Sequence, residues 1–299
     1  MPLVPILQAG IVAFAAAFGY VLLRVPNKKE KIARSNGSWS FLSIVGVITM
    51  FFDTLGIGSY GTLTAIFKKF KTMSDRLIPG TLNTCTVLPT AIEGLIYITI
   101  IDVEPLTLFS IIISSTLGAF FGAGIVAKLP EKKIQIGMGF ALLIVALFML
   151  AGQLGLMPTG GEATGLSGAK LIVAIIVTFL LGAFMTIGIG IFAPMMALVY
   201  ALGLSPRVAF PLMMGSCAFL IPVAGMRFVK EDSYDYKSNI AIPLGGLLGI
   251  FVAAYIVKEI PLYALKWLVI FVLVYTSISM FKSAFSKKEI DSVPPITTV

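Results

Sequence analysis

Apolar runs of about twenty residues alternate with short polar loops along the whole chain. A helix of about that length spans the hydrocarbon core of a bilayer. Seven runs predict full crossings: Leu3–Leu23, Gly80–Ile100, Leu106–Ala127, Ile134–Leu154, Val208–Phe228, Ile240–Val257 and Leu262–Phe281. Two further segments, Ser40–Phe67 and Leu171–Leu202, carry glycine-rich interruptions. At 1.5 Å per residue each is too long for one untilted crossing and too short for two. Broken backbone at membrane depth survives only inside protein or beside a water-filled cavity, so both segments predict cavity walls.

Charge decides how the broken segments run. Lys and Arg favour cytoplasmic loops. Arg24, Lys28, Lys29, Lys31 and Arg34 precede the first segment, and Lys68, Lys69, Lys71 and Arg76 follow it. Both flanks therefore read as cytoplasmic, and the segment is expected to enter and return. Asp102 and Glu104 mark an outside turn, and Lys128, Lys132 and Lys133 an inside one. Gly155–Gly168 lacks Lys and Arg, so the second segment is expected to dip from outside, with Lys170 and Arg207 counting mildly against this. Arg227, Lys230, Lys237, Lys282, Lys287 and Lys288 put the C-terminus in the cytoplasm.

A shift of 132 residues superimposes the two broken segments without a gap. Thr54 meets Thr186, Gly56 meets Gly188, Gly58 meets Gly190, Pro79 meets Pro211 and Cys85 meets Cys217. With the charge assignment, the two copies enter from opposite sides. Inverted repeats of this kind supply two gates around one midplane site. The expected fold is an all-α polytopic membrane protein of two inverted repeats, with about seven full spans and two re-entrant hairpins. The expected division is residues 1–130 and 131–260 for the repeats, 261–285 for an extra C-terminal helix without a counterpart, and 286–299 for a disordered tail.

Composition agrees: 58% of residues are hydrophobic, 12% are charged, and mean hydropathy is +1.01. The net charge of +8 sits in inter-helix loops, which reads as membrane topology rather than nucleic-acid binding. The absence of histidine excludes His-based metal sites, proton relays and triads, and two cysteines give no disulfide framework. MPLVPILQAG lacks a basic n-region and a small-residue cleavage site, and reads as a retained first helix. Without a metal-ligand cluster or a nucleophile–base pair at readable spacing, the chain does not read as an enzyme, and no cofactor is expected.

DTLGIGS, the basic loop after it, DRLIPGTLN and LPT together resemble the TauE/SafE family of sulfite and organosulfonate permeases. GIGIFAPMMALVYALGLSPRVAF is similar to that family's repeated glycine motif and its Leu-Ser-Pro turn. The resemblance runs from about Ser40 to Lys258. It departs from the denser glycine run of many members, because Ser59 and Tyr60 follow Gly58, and Ile191 and Phe192 follow Gly190. The resemblance implies a secondary transporter in a bacterial or archaeal inner membrane, moving a small sulfur-containing anion, commonly outward. An uncoupled anion channel, or a carrier of another small organic anion, is the alternative. A homodimer is left open.

No Lys or Arg sits in mid-span, so an anion would rely on N–H groups at helix starts, which carry partial positive charge. The candidate substrate site comprises Gly56, Gly58, Ser59, Tyr60, Asn83, Thr84, Cys85, Gly188, Gly190, Ser216 and Cys217. The competing reading of the small polar residues is close helix packing. Asp53 and Glu93 are the acids well inside apolar sequence, and intramembrane acids are functional candidates by default. They suit proton or sodium coupling, whereas a helix cap is the structural alternative for Asp53.

Overall fold

A computed structural model describes residues 3–98, 103–156, 160–256 and 262–285. The described residues form helices, with a lone bridge between Ala163 and Leu204. The helices are α1 (Leu3–Leu23), α2 (Lys28–Ala33), α3 (Trp39–Thr54), α4 (Tyr60–Phe70), α5 (Ile78–Cys85), α6 (Val87–Tyr97), α7 (Pro105–Val126), α8 (Glu131–Gln153), α9 (Gly168–Met185), α10 (Phe192–Ala201), α11 (Ala209–Lys230), α12 (Ser238–Phe251) and α13 (Leu262–Phe285). Six candidate spans are long and apolar enough to cross a membrane: α1, α7, α8, α9, α11 and α12 with their immediate extensions. The expected tail, 286–299, and the side chain of Lys266 lie outside the described residues.

The two glycine-broken segments fold as expected from their flanks. α3 and α4 form one, and their outer ends meet. Asn36 donates its backbone N–H to Thr72 O at 3.1 Å and its Nδ2 to Lys71 O at 3.2 Å. The Phe41 and Phe70 rings pack edge to face at 5.0 Å. α9 and α10 form the other. Lys170 Nζ donates to Leu202 O at 2.9 Å, Ser205 N to Ala163 O at 2.8 Å and Gly161 N to Leu204 O at 3.0 Å. Each segment thus returns to the end of the bundle where it began.

The two ends differ. At the first, Ser35 Oγ donates to Asp235 at 3.2 Å, Lys31 pairs with Asp232, and Lys128 lies 3.6 Å from Glu231. These contacts join the loops before α3, after α7 and before α12. At the second end, Glu104 N donates to Thr164 O at 2.9 Å and Leu166 N to Thr107 Oγ1 at 2.7 Å. The first hairpin opens at the first end and the second hairpin at the second. Among residues whose side chains are described, Lys170 and Arg207 are the cations of the second end, and the others cluster at the first.

One expected span is broken. Gly80–Ile100 was read as continuous, but α5 stops at Cys85 and α6 begins at Val87, with Thr86 between them. Pro89 is the physical reason: it has no N–H to give Cys85 O, so the i→i−4 ladder fails there. The offset of 132 also runs farther than the residue matches suggested. Applied to α7 it gives 237–258, the region of α12, and applied to α8 it gives 263–285, against Leu262–Phe285 for α13.

Small residues set the closest helix contacts, as expected where lipid tails remove the hydrophobic drive between helices. α3 packs along α12 and α9 along α7. A Cβ on Gly46 would lie 2.2 Å from Ile242 O, and one on Gly118 would lie 1.9 Å from Phe179 O. α11 is the most enclosed span, with 89% of its apolar window buried, and it touches α1, α5, α6 and α7. Gly46→Ala should force α3 and α12 apart and cost about 1–3 kcal/mol. Thermal melting in detergent tests this against Gly124→Ala, where nothing lies within 4 Å of the new methyl. Equal melting of the two variants would contradict this packing.

Candidate functional site

Both hairpins break in the same way. α3 ends at Thr54, and Gly56 (φ 84°) turns the chain, donating its N–H to Asp53 O at 2.8 Å while Ile57 N reaches Phe52 O at 3.1 Å. This paired bonding at a left-handed glycine is a Schellman closure, and it satisfies carbonyls that a helix end leaves open. In the second hairpin Gly188 (φ 110°) occupies the equivalent place and donates to Met185 O at 3.0 Å. Gly58 (φ 89°) adds a second left-handed turn before α4.

The starts of the returning arms differ. Asp53 is buried, and its Oδ1 accepts the Ser59 N–H at 2.6 Å. The first hairpin therefore fills the N-terminus of α4 with its own carboxylate. The equivalent residue in the second hairpin, Met185, cannot accept, and α10 starts at Phe192 without a side-chain cap. A Cβ on Gly190 would meet nothing within 4 Å. The start of α10 faces space at Gly190, while at the start of α4 the Asp53 carboxyl group takes the Ser59 N–H.

Asp53 and Glu93 lie within interaction range of one another. Glu93 is fully buried, its Oε1 accepts from Thr54 Oγ1 at 2.7 Å, and its Oε2 has no hydrogen-bond partner. Tyr97 OH donates to Thr54 O at 2.7 Å, and its ring stacks on Phe210 at 5.6 Å. Two acids forty residues apart in sequence thus meet because α6 passes the broken end of α3.

A cavity of about 20 Å³ separates the two breaks. Asp53, Gly58, Ser59, Tyr60, Thr90, Met185, Gly190, Ile191, Phe192, Cys217 and Ile221 line it. It has room for roughly one water. A larger vestibule of about 320 Å³ lies between the second-end halves of α8 and α10, lined by Gly56, Ile57, Phe148, Gln153, Phe192, Met196 and Tyr200 among others. Phe192 lines both spaces. A third void, of about 20 Å³, shares Gly58, Tyr60, Gly190 and Phe192 with the central cavity and is also lined by Gly188.

Of the residues expected at the site, Gly58, Ser59, Tyr60, Gly190, Cys217 and Asp53 line the central cavity, Gly188 lines the adjacent void, and Gly56 lines the vestibule. Asn83 stands one step behind: its Oδ1 accepts from Tyr60 OH at 3.4 Å, and its Nδ2 donates to Pro79 O at 2.9 Å and Thr186 O at 3.3 Å. It ties α5 to both hairpins. Thr84 spends its hydroxyl on Gly80 O at 2.7 Å, whereas Ser216 Oγ, its repeat counterpart, is buried without a partner. Cys85 is buried and lines none of these three spaces. Thr90, Phe192 and Ile221 are lining residues that sequence reading did not select as substrate contacts. Phe192 alone had a signal, as the repeat counterpart of Tyr60.

Gly190→Leu should insert and melt like the parent, because the position is open and its φ is not left-handed, yet it should abolish uptake by filling the cavity. Gly58→Ala should instead lose about 1–2 kcal/mol of stability through its left-handed backbone. Uptake at the parental rate by Gly190→Leu would remove this residue from the path.

Residues 2–149 match the family model described as Sulfite exporter TauE/SafE. Neither the curated proteins nor the solved structures gave a match.

Proposed function

From the TauE/SafE family, to which residues 2–149 belong, we propose that this chain is a secondary transporter that moves sulfite or an organosulfonate out of the cell by alternating access. The family is one of exporter-type transporters of sulfur anions, not of enzymes. The observation that carries the reading is the convergence of two broken hairpins, opening at opposite ends, on one small cavity.

In this reading the repeats are inverted and comprise 39–153 and 168–285, with α1 outside both. The common offset of the helix bounds through α13 supports this division over one that ends the first repeat near residue 130. The cation-rich end is cytoplasmic, which places the end of α13 inside and the vestibule outside. The substrate anion binds at the N-terminus of α10, where N–H groups are free of a side-chain acceptor and Gly190 leaves space. Tyr60 and Asn83 position its second face. The α4 N-terminus is closed to it by Asp53, whose role together with Glu93 is to respond to a coupling proton or sodium ion.

Sulfite should raise the melting temperature of the purified protein, since a ligand of the native state stabilises it by mass action. Sulfate, taurine and acetate serve as comparisons. In proteoliposomes, saturable counterflow of labelled sulfite is expected, and unsaturable flux would point to a channel. Asp53→Asn keeps the size and a capping oxygen but removes the charge. It should retain sulfite binding while uptake loses its dependence on pH or sodium gradients. An unchanged gradient dependence would assign Asp53 to capping alone.

A further inference from the structure

The first end of the bundle is tied shut where the second is open. Lys68, on the last turn of α4, pairs with Asp75 and donates to Ser283 Oγ on α13 at 2.7 Å. Gln135 Nε2, on the first turns of α8, donates to the same Asp75 carboxylate at 2.8 Å. Lys68 and Asp75 are largely buried, with side chains 15% and 11% exposed. One ion pair and two hydrogen bonds thus join the returning arm of the first hairpin to α8 and α13, the two helices that flank the hairpins.

The repeat relation makes this network asymmetric. At the offset of 132, Lys68 corresponds to Tyr200, Asp75 to Arg207, and Ser283 to Ala151. At these equivalent positions the second half thus carries no ion pair like Lys68–Asp75. There, Tyr200 and Met196 line the vestibule, whereas Thr64, the counterpart of Met196, is fully buried. On the first side Leu273 and Leu142 crowd Gly61, and Phe281 crowds Gly139.

We propose that the Lys68–Asp75 pair, with Gln135 and Ser283, is the latch of the inner gate, and that it sets the resting conformation open to the second end. The inference rests on the transporter reading. Buried ion pairs are weak contributors to net stability but suit registry and switching, because losing one partner strands the other charge. When α4 swings away from α8, Lys68 and Asp75 both reach the polar interface, where water replaces the partner. The latch can therefore open without leaving a charge in lipid.

The test needs no substrate. Thr64→Cys and Met196→Cys report the two sides, read as labelling by an impermeant thiol reagent above the native-cysteine background. With the latch intact, Met196→Cys should label from the second end and Thr64→Cys should be protected. Adding Asp75→Asn should raise Thr64→Cys labelling from the cationic end at least about tenfold and lower that of Met196→Cys. The exchanged pair Lys68→Asp with Asp75→Lys should restore protection, which a folding defect would not allow. Protection of Thr64→Cys unchanged by Asp75→Asn, or a rise that the exchange fails to reverse, would overturn the latch. Failure of sulfite to bind or move would instead count against the substrate reading and leave these labelling results standing.

Discussion

Every helix end inside a bilayer leaves N–H and C=O groups that water cannot reach, and this protein buries two complete sets of them. The rest of the architecture follows from satisfying those groups internally. Left-handed glycines at 56 and 188 fold the carbonyl ends back on themselves. Asp53 takes the N–H of Ser59 at the start of α4. At the start of α10 no side chain does this. In a medium where an unsatisfied polar group costs several kcal/mol, a bare helix N-terminus beside a cavity is a standing demand for an acceptor. In the proposed reading an anion answers it, and the contrast between the two hairpin starts is what separates the substrate side from the Asp53 side.

The scaffold holds those ends at fixed positions. α3 lies on α12 and α9 on α7 through glycine contacts that bring backbones nearly into touch. α11 passes through the centre and brings Cys217 and Ile221 to the cavity. α5 and α6, parted at Thr86, carry Asn83 to one side of the cavity and Glu93 to the other. The returning arms α4 and α10, ten or eleven residues each, are shorter than α3 and α9 and lack the long side-by-side packing that α3 has on α12 and α9 on α7. They are the parts that a moderate change in packing can move, and each carries one of the aromatic residues, Tyr60 or Phe192, that border the cavity.

Much of this was legible in the sequence because the bilayer punishes exceptions. Glycines 56, 58, 188 and 190 interrupt runs that would otherwise be plain spans, and the matched Gly, Pro and Cys positions exposed the repeat. The cation clusters correctly paired the two ends of the first hairpin, now seen in the Asn36–Thr72 bond. Other features were harder to read. The break at Thr86 depends on one missing N–H at Pro89, inside a run long enough to pass for a single span. The meeting of Asp53 with Glu93, and of Lys68 with Asp75 and Gln135, is long-range packing. Ser59 was selected as a substrate contact, yet its N–H already serves Asp53, a competition visible only once the chain turns at Gly56 and Gly58.

The central claim is that the two hairpins work as alternating walls of one site. Pulsed electron-spin distance measurements between labels at Gln153 and Tyr200, on the rims of α8 and α10, test it most directly. On saturation with sulfite in lipid nanodiscs, the distance across the vestibule should shorten or split into two populations as α10 closes over the cavity. A single distribution that stays the same with and without sulfite, in protein shown to bind it, would contradict the account.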